Sequence, residues 1–188
     1  MKKIIVTCAT REEFVQIDWP SAEIGHLLTG LGKTKSAYYL AEAIRAQHPD
    51  LVMNVGTAGT LHHKVGDIFV CRHFVDRDMQ KLKDYGVSYE IELPEEALDF
   101  VPSCLYTNKG ICNTGDTFLT EHEDVTGDVI DMEAYAQAFV CQSMKVPFVA
   151  VKYVTDIVGQ NSVEIWQDKL KDAVSALRTF FNNSPETF

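Results

Sequence analysis

The sequence predicts a single α/β domain over residues 1–188, a mostly parallel or mixed twisted sheet flanked by helices. Short apolar runs alternate with segments of helical periodicity, the pattern of strands joined by crossover helices. No linker, repeat or change of composition divides the 188 residues, and 46% hydrophobic with 23% charged residues suits one domain with a real core. A carboxylate, Asp156, also ends the longest apolar run, where ligands lie in open α/β sheets.

The strand candidates are Ile4 to Cys8, a shorter run His26 to Thr29, then Leu51 to Val55, Ile68 to Cys71, Gly110 to Asn113 and Phe148 to Val154. The first helix follows Lys33-Thr34, with Ala37, Leu40, Ala41 and Ile44 on one stripe, and Pro49 stops it. The second runs from about Met132 to Met144, with Met132, Tyr135, Ala136, Phe139, Val140 and Ser143 on one face and Asp131 and Glu133 at its positive end. The third starts at Asn161 or Ser162, with Glu164 in capping-box position. Its stripe of Trp166, Leu170, Ala173, Val174, Leu177 and Phe181 reads as core. The segment Arg72 to Ser103 has mixed charge and weak periodicity, and reads as a hairpin-like excursion or a loop over the site.

A formal charge of -10 argues against a general binder of nucleic-acid phosphates, which needs a basic face. Cysteines at 8, 71, 104, 112 and 141 form an odd set with no zinc spacing, and read as reduced thiols of a cytoplasmic protein. Arg11, Glu12 and Glu13 interrupt the first apolar run, so it reads as a strand and not a leader, and no run approaches the ~20 apolar residues of a membrane span.

Gly30-Leu31-Gly32-Lys33-Thr34 completes neither the Walker nor the Rossmann spacing and reads as a strand-to-helix turn. Gly56-Thr57-Ala58-Gly59 reads as a small-residue turn whose backbone N–H groups could approach an anion or a sugar. Taken singly, Asp156 fits equally as a cap before the last helix, Glu133 as a complement to a helix end, and Phe118 as core. Glu121-His122-Glu123-Asp124 and His62-His63 read as surface, while Arg72, His73 and Arg77 are minor candidates for substrate contact.

In order, however, the chain carries Leu28-Thr29-Gly30-Leu31-Gly32-Lys33, Asn54-Val55-Gly56-Thr57-Ala58-Gly59, Val65-Gly66-Asp67-Ile68, Gly115-Asp116-Thr117-Phe118-Leu119, Asp131-Met132-Glu133-Ala134 and Thr155-Asp156. This ordered set resembles the nucleoside phosphorylase superfamily, most closely its methylthioadenosine/S-adenosylhomocysteine nucleosidase branch, over nearly the whole chain. The resemblance implies that Asp156 is the general acid that protonates N7 of a purine, and that Glu13 activates water. It implies that Glu133 accepts from the ribose hydroxyls, Met132 lies against the sugar, Phe118 stacks on the base and Leu119 offers it backbone contacts. Thr57 and Gly59 match the turn that lines the catalytic pocket, and Asp131 joins the substrate-binding set. Whether Glu12 or Glu13 faces the site depends on a register set by Phe14.

The expected function is hydrolysis of the N-glycosidic bond in a 5'-modified adenosine such as methylthioadenosine or S-adenosylhomocysteine. Breaking that bond builds positive charge on the sugar and negative charge on the base, so it needs a proton donor at the base and carboxylates near the sugar. Phosphorolysis on the same fold is the alternative, followed by a futalosine-type hydrolase or a catalytically weak nucleoside-binding protein. Arg11-Glu12-Glu13 stands where the phosphorylases carry a phosphate-binding motif, and its carboxylates would repel phosphate. No metal or organic cofactor is implied, and the partners expected are a small nucleoside and further copies of the chain, as a homodimer or larger. Asp131 replaces the usual Glu, Thr57 the usual Ser and Lys152 the usual Arg, and the stretch between Gly59 and Asp131 is short.

Overall fold

Most of the apolar runs form strands longer than the sequence predicts. The computed structural model describes residues 1–95, 108–121, 125–160 and 162–183. The order is β1 (Lys2–Cys8), β2 (Ala22–Leu28), α1 (Lys33–Gln47), β3 (Leu51–Thr60), β4 (Ile68–Asp76), α2 (Arg77–Gln80), β5 (Glu90–Glu92), β6 (Lys109–Thr114), β7 (Val129–Asp131), α3 (Ala134–Met144), β8 (Phe148–Ile157) and α4 (Ser162–Asn182). Single 3-10 turns occupy Arg11–Glu13 and Lys83–Tyr85.

One expectation is corrected here, and of the two readings of the segment from Arg72 the hairpin-like excursion holds for its described part. Gly56 to Gly59 is not a turn after β3 but its second half, paired residue by residue with β8. Glycine in a strand marks close approach, and Gly56 lies against the Glu13 carboxylate and the Lys152 ammonium. The excursion after Arg72 begins as the second half of β4 and returns antiparallel as β5, with His73 opposite Glu92. Cys104 and the acidic stretch 122–124 lie outside the described residues.

The sheet is mixed and closes on itself. β2, β1, β3 and β8 run parallel, β8 meets β4 antiparallel, and β4, β6 and β7 lead back to β3 through the antiparallel pair Gly59–Ile130. β3 is therefore forked: one edge carries β1 at Leu51–Asn54 and β7 only at Gly59, while the other carries β8 along its whole length.

Side chains of alternate residues point to opposite faces of a strand, and β8 separates two cores in this way. Phe148, Ala150 and Val154 pack with Leu40 and Ile44 of α1 and Ala138 and Cys141 of α3. Val149, Val151 and Tyr153 pack with Ala173, Leu177 and Phe181 of α4 and with Val15, Ile17 and Trp19 of the β1–β2 connection. The α4 stripe holds from Ala173 onwards, whereas Trp166 and Leu170 are only half-buried and belong to neither core. The α3 stripe is corrected in part: Ala136 and Val140 are buried and Tyr135 packs against the core as expected, but Ala134, Gln137, Ala138 and Cys141 are buried as well, while Phe139 is 57% exposed and Ser143 faces solvent. Packing small residues inward lets α3 sit close to the sheet and leaves its large aromatic outside.

Among the described residues no helix is long and apolar enough to cross a membrane. Leu177→Ala is expected to cost about 2–5 kcal/mol in urea denaturation. Phe139→Ala should change stability by no more than about 0.5 kcal/mol, which tests the corrected face of α3.

Candidate active site

One pocket gathers all nine residues singled out from the sequence: Glu13, Thr57, Gly59, Phe118, Leu119, Asp131, Met132, Glu133 and Asp156. It opens beside the ends of β3 and β8, with the segments after β6 and β7 completing its wall. Among the described residues no cluster of His, Cys, Asp and Glu could hold a metal ion.

Glu13 is seated by the fork in the sheet. Between Asn54 and Gly59 one edge of β3 has no strand beside it among the described residues, and there the Thr57 N–H donates to Glu13 Oε1 at 3.0 Å. The Thr57 hydroxyl reaches the same oxygen at 2.5 Å. Oε2 is held more loosely, by the Thr10 N–H at 3.3 Å and the Thr10 hydroxyl at 3.4 Å. This arrangement puts Glu13, 6% exposed, in the pocket wall and leaves Glu12 in solvent.

Asp131 and Glu133 stand two residues apart in opposite electrostatic settings. The Asp131 side chain is 1% exposed and pairs with Lys152 Nζ at 2.8 Å. It also accepts from the Thr114 hydroxyl at 2.6 Å and the Ala134 N–H at 2.9 Å, capping α3. Burial alone would raise its pKa, but the Lys152 charge and these hydrogen bonds hold the carboxyl below its ordinary range. Glu133 is pushed up to about 7, first by burial and then by the negative charge of Asp131. It is the N-cap residue of α3 yet makes no side-chain cap there, and instead accepts the Gly32 N–H at the start of α1 at 2.9 Å. Gly32 has φ +91°, and a Cβ at that position would come within 3.1 Å of Asp116 Oδ1, so glycine suits this junction.

Asp156 owes its direction to a bulge. The β3–β8 register slips between Ala58 and Gly59, so Ala58 faces Val154 while Gly59 faces Asp156, and Thr155 is the extra residue. Bulges re-aim side chains next to sites. The Thr155 hydroxyl lies 2.8 Å from Asp156 Oδ1, and the missing side chain at Gly59 leaves room for the other oxygen.

Residues 6–182 match the family described as the Phosphorylase superfamily. The chain belongs to the phosphorylase superfamily. Its relatives include the 5'-methylthioadenosine/S-adenosylhomocysteine nucleosidase of Bacillus velezensis, 30% identical over 80% of this chain and 75% of that protein. The enzyme of the same name from Colwellia psychrerythraea is 31% identical over 77% of this chain and 71% of its own. The fold matches a futalosine hydrolase mutant of Helicobacter pylori with a TM-score of 0.83 at 20% identity, covering 97% of both chains. It matches the D198N mutant of the Helicobacter pylori nucleosidase holding 5'-methylthioadenosine with a TM-score of 0.82 at 20% identity, again over 97% of both.

Within this superfamily pocket the structure adds residues that the sequence left aside. Trp166, read as core, turns into the pocket, donates its indole N–H to Thr57 Oγ1 at 2.9 Å and meets Phe118 edge-on at 6.2 Å. Arg77 lines the pocket too, but its guanidinium donates to the carbonyls of Asp131, at 3.3 Å, and of Thr117. The other minor candidates lie elsewhere: Arg72 pairs with Glu92 and Glu95, and His73 with Glu90. His63 pairs with Asp128 at 2.9 Å away from the pocket. No signal in one sequence marks Trp166, because an aromatic in phase with a core stripe reads as core.

Lys152→Met is expected to destabilise by about 3–5 kcal/mol, because it leaves Asp131 charged in the core. Depressed in the native protein, Asp131 contributes stability above its unfolded pKa, which fades as pH falls through the native one. Removing Lys152 deletes that contribution, so the gap between the proteins should narrow in urea melts as the pH is lowered towards acid. A gap that does not depend on pH would contradict the charge argument.

Proposed function

We propose that the pocket hydrolyses the N-glycosidic bond of a 5'-modified adenosine of the methylthioadenosine or S-adenosylhomocysteine type, the substrates for which the curated relatives are named. The observation that carries hydrolysis over phosphorolysis is the charge of the lining. Glu13 and Glu133 supply carboxylates, whereas Arg77, a cation of the lining, donates to backbone carbonyls. A phosphate nucleophile would meet like charge there, and a water molecule would not.

In this reading Asp156 gives its proton to N7 of the base as the bond to the sugar breaks, and the bonding electrons leave with the base. Glu13 takes a proton from water as its oxygen adds to the anomeric carbon. Glu133 accepts from the ribose hydroxyls, which fixes the sugar between the two reacting groups. Met132 lies against the sugar and Phe118 against the base, with Leu119 beside it. Thr57 and Gly59 act by seating Glu13 and making room for Asp156. Asp131, first counted with the substrate contacts, acts from below through α3 and Lys152.

The whole chain serves as one catalytic unit, and we assign it to the cytoplasm, in keeping with the free thiols of Cys8, Cys71, Cys112 and Cys141. We also assign it a homodimeric or larger state. Leu31 lines the pocket yet is 49% exposed, which supports a second copy covering that side.

The deciding measurement is release of free base, with and without phosphate, from methylthioadenosine, S-adenosylhomocysteine, adenosine, inosine and an aminofutalosine-type nucleoside. Release without phosphate is expected for the first two, and Asp156→Asn should bind them while losing about 10²–10⁴-fold in rate. Release only with phosphate would overturn the hydrolytic reading. Since an ionised Glu133 accepts at both oxygens and more strongly than the neutral acid, affinity for a nucleoside analogue should weaken as pH falls below about 7. Glu133→Gln should flatten that dependence in a titration series.

A further inference from the structure

The hydroxyl of Thr57 stands between two side chains from distant parts of the chain. An indole N–H can only donate, so Trp166 Nε1, 2.9 Å away, occupies an acceptor position on Thr57 Oγ1. The single hydroxyl proton must then point elsewhere, and Glu13 Oε1 lies 2.5 Å from the oxygen. Because Oε1 also takes the Thr57 N–H, it carries two short donors, whereas the contacts of Oε2 with Thr10 are 3.3 and 3.4 Å. Trp166 sits in the second turn of α4, which packs against the Arg11–Glu13 turn as well as against β3 and β8.

We propose that Trp166 is a positioning residue for Glu13: its indole N–H fixes the Thr57 hydroxyl rotor so that Thr57 donates to Oε1, which leaves Oε2 as the oxygen that faces the reacting water. Without the indole donor the hydroxyl can turn away, and the carboxylate loses one of the two contacts that hold Oε1. The role rests on the reading of Glu13 as the group that activates water. It is distinct from the contribution of the Trp166 ring to the pocket wall, where the ring meets Phe118. The wall contact acts on how substrate fits, whereas the N–H acts on the base.

Trp166→Phe keeps an aromatic ring and removes the donor. With methylthioadenosine as substrate it is expected to lower kcat about tenfold, the effect of one hydrogen bond to a charged group, while KM stays within about twofold. Thr57→Val should lower kcat to a similar extent, and the double variant should be no slower than Thr57→Val alone, because both changes break one relay. Losses that multiply, or a loss confined to KM, would overturn the proposal and leave Trp166 as wall only.

A second readout does not depend on turnover. The chain has two tryptophans, so its proton–nitrogen correlation spectrum carries two indole N–H resonances, and the one missing in Trp166→Phe is assigned. That resonance should move in both Thr57→Val and Glu13→Gln, while the Trp19 resonance stays in place. An unmoved Trp166 resonance overturns the relay whatever the enzyme does. Absence of base release from the intact chain, with the resonance responding, would instead sink the hydrolase reading and leave the relay standing.

Discussion

Asp131 and Lys152 meet 2.8 Å apart with their side chains 1% and 2% exposed, and much of the site hangs on that contact. Desolvating two charges is expensive, and a buried pair holds only when its other lone pairs and protons are satisfied. Here Asp131 also takes the Thr114 hydroxyl and the Ala134 N–H, so one carboxylate ties together β6, β7, β8 and the first turn of α3. Thr114 in turn accepts the Tyr135 N–H. With the orphan donors of α3 met from outside, the Glu133 side chain is not needed as a cap and can turn towards the pocket.

The same pair separates the two neighbouring carboxylates by chemistry. Lys152 stabilises the charge on Asp131, and that charge raises the cost of ionising Glu133. A group whose pKa lies near 7 keeps its charge only weakly, and hydrogen bonds from a bound diol would tip it towards the anion. Glu133 is thus held ready to respond to ligand, while Asp131 is locked. The division follows from which of the two faces the ammonium.

Much of the fold was legible because burial and periodicity are local signals. The runs around Val6, Met53, Val70, Cys112 and Val151 all lie in strands, and Leu40, Ile44, Leu177 and Phe181 all face a core. Closure of the sheet was not legible, since it depends on β7, three residues long, meeting β3 at one pair. Gly56 to Gly59 misled because glycine signals turns more often than strands, and the reason for glycine here is the charge pressed against it. The α3 face misled at Phe139, a large aromatic that lies outside while the small Ala134 and Ala138 lie within. For the pocket, the nine singled-out residues came from an ordered resemblance and lie together. Trp166 could not be found that way, because its partner, Thr57, is 109 positions distant.

The fork in β3 has a consequence for how the site tolerates change. At Thr57 the donor offered to Glu13 includes a main-chain N–H, which is present whatever side chain the codon specifies, proline excepted. Part of the anchoring is thereby written in the path of the backbone rather than in residue identity. A change of side chain at this position removes the hydroxyl contact but leaves the main-chain one, whereas shifting the point where β1 and β7 part would remove both without altering any residue in the pocket.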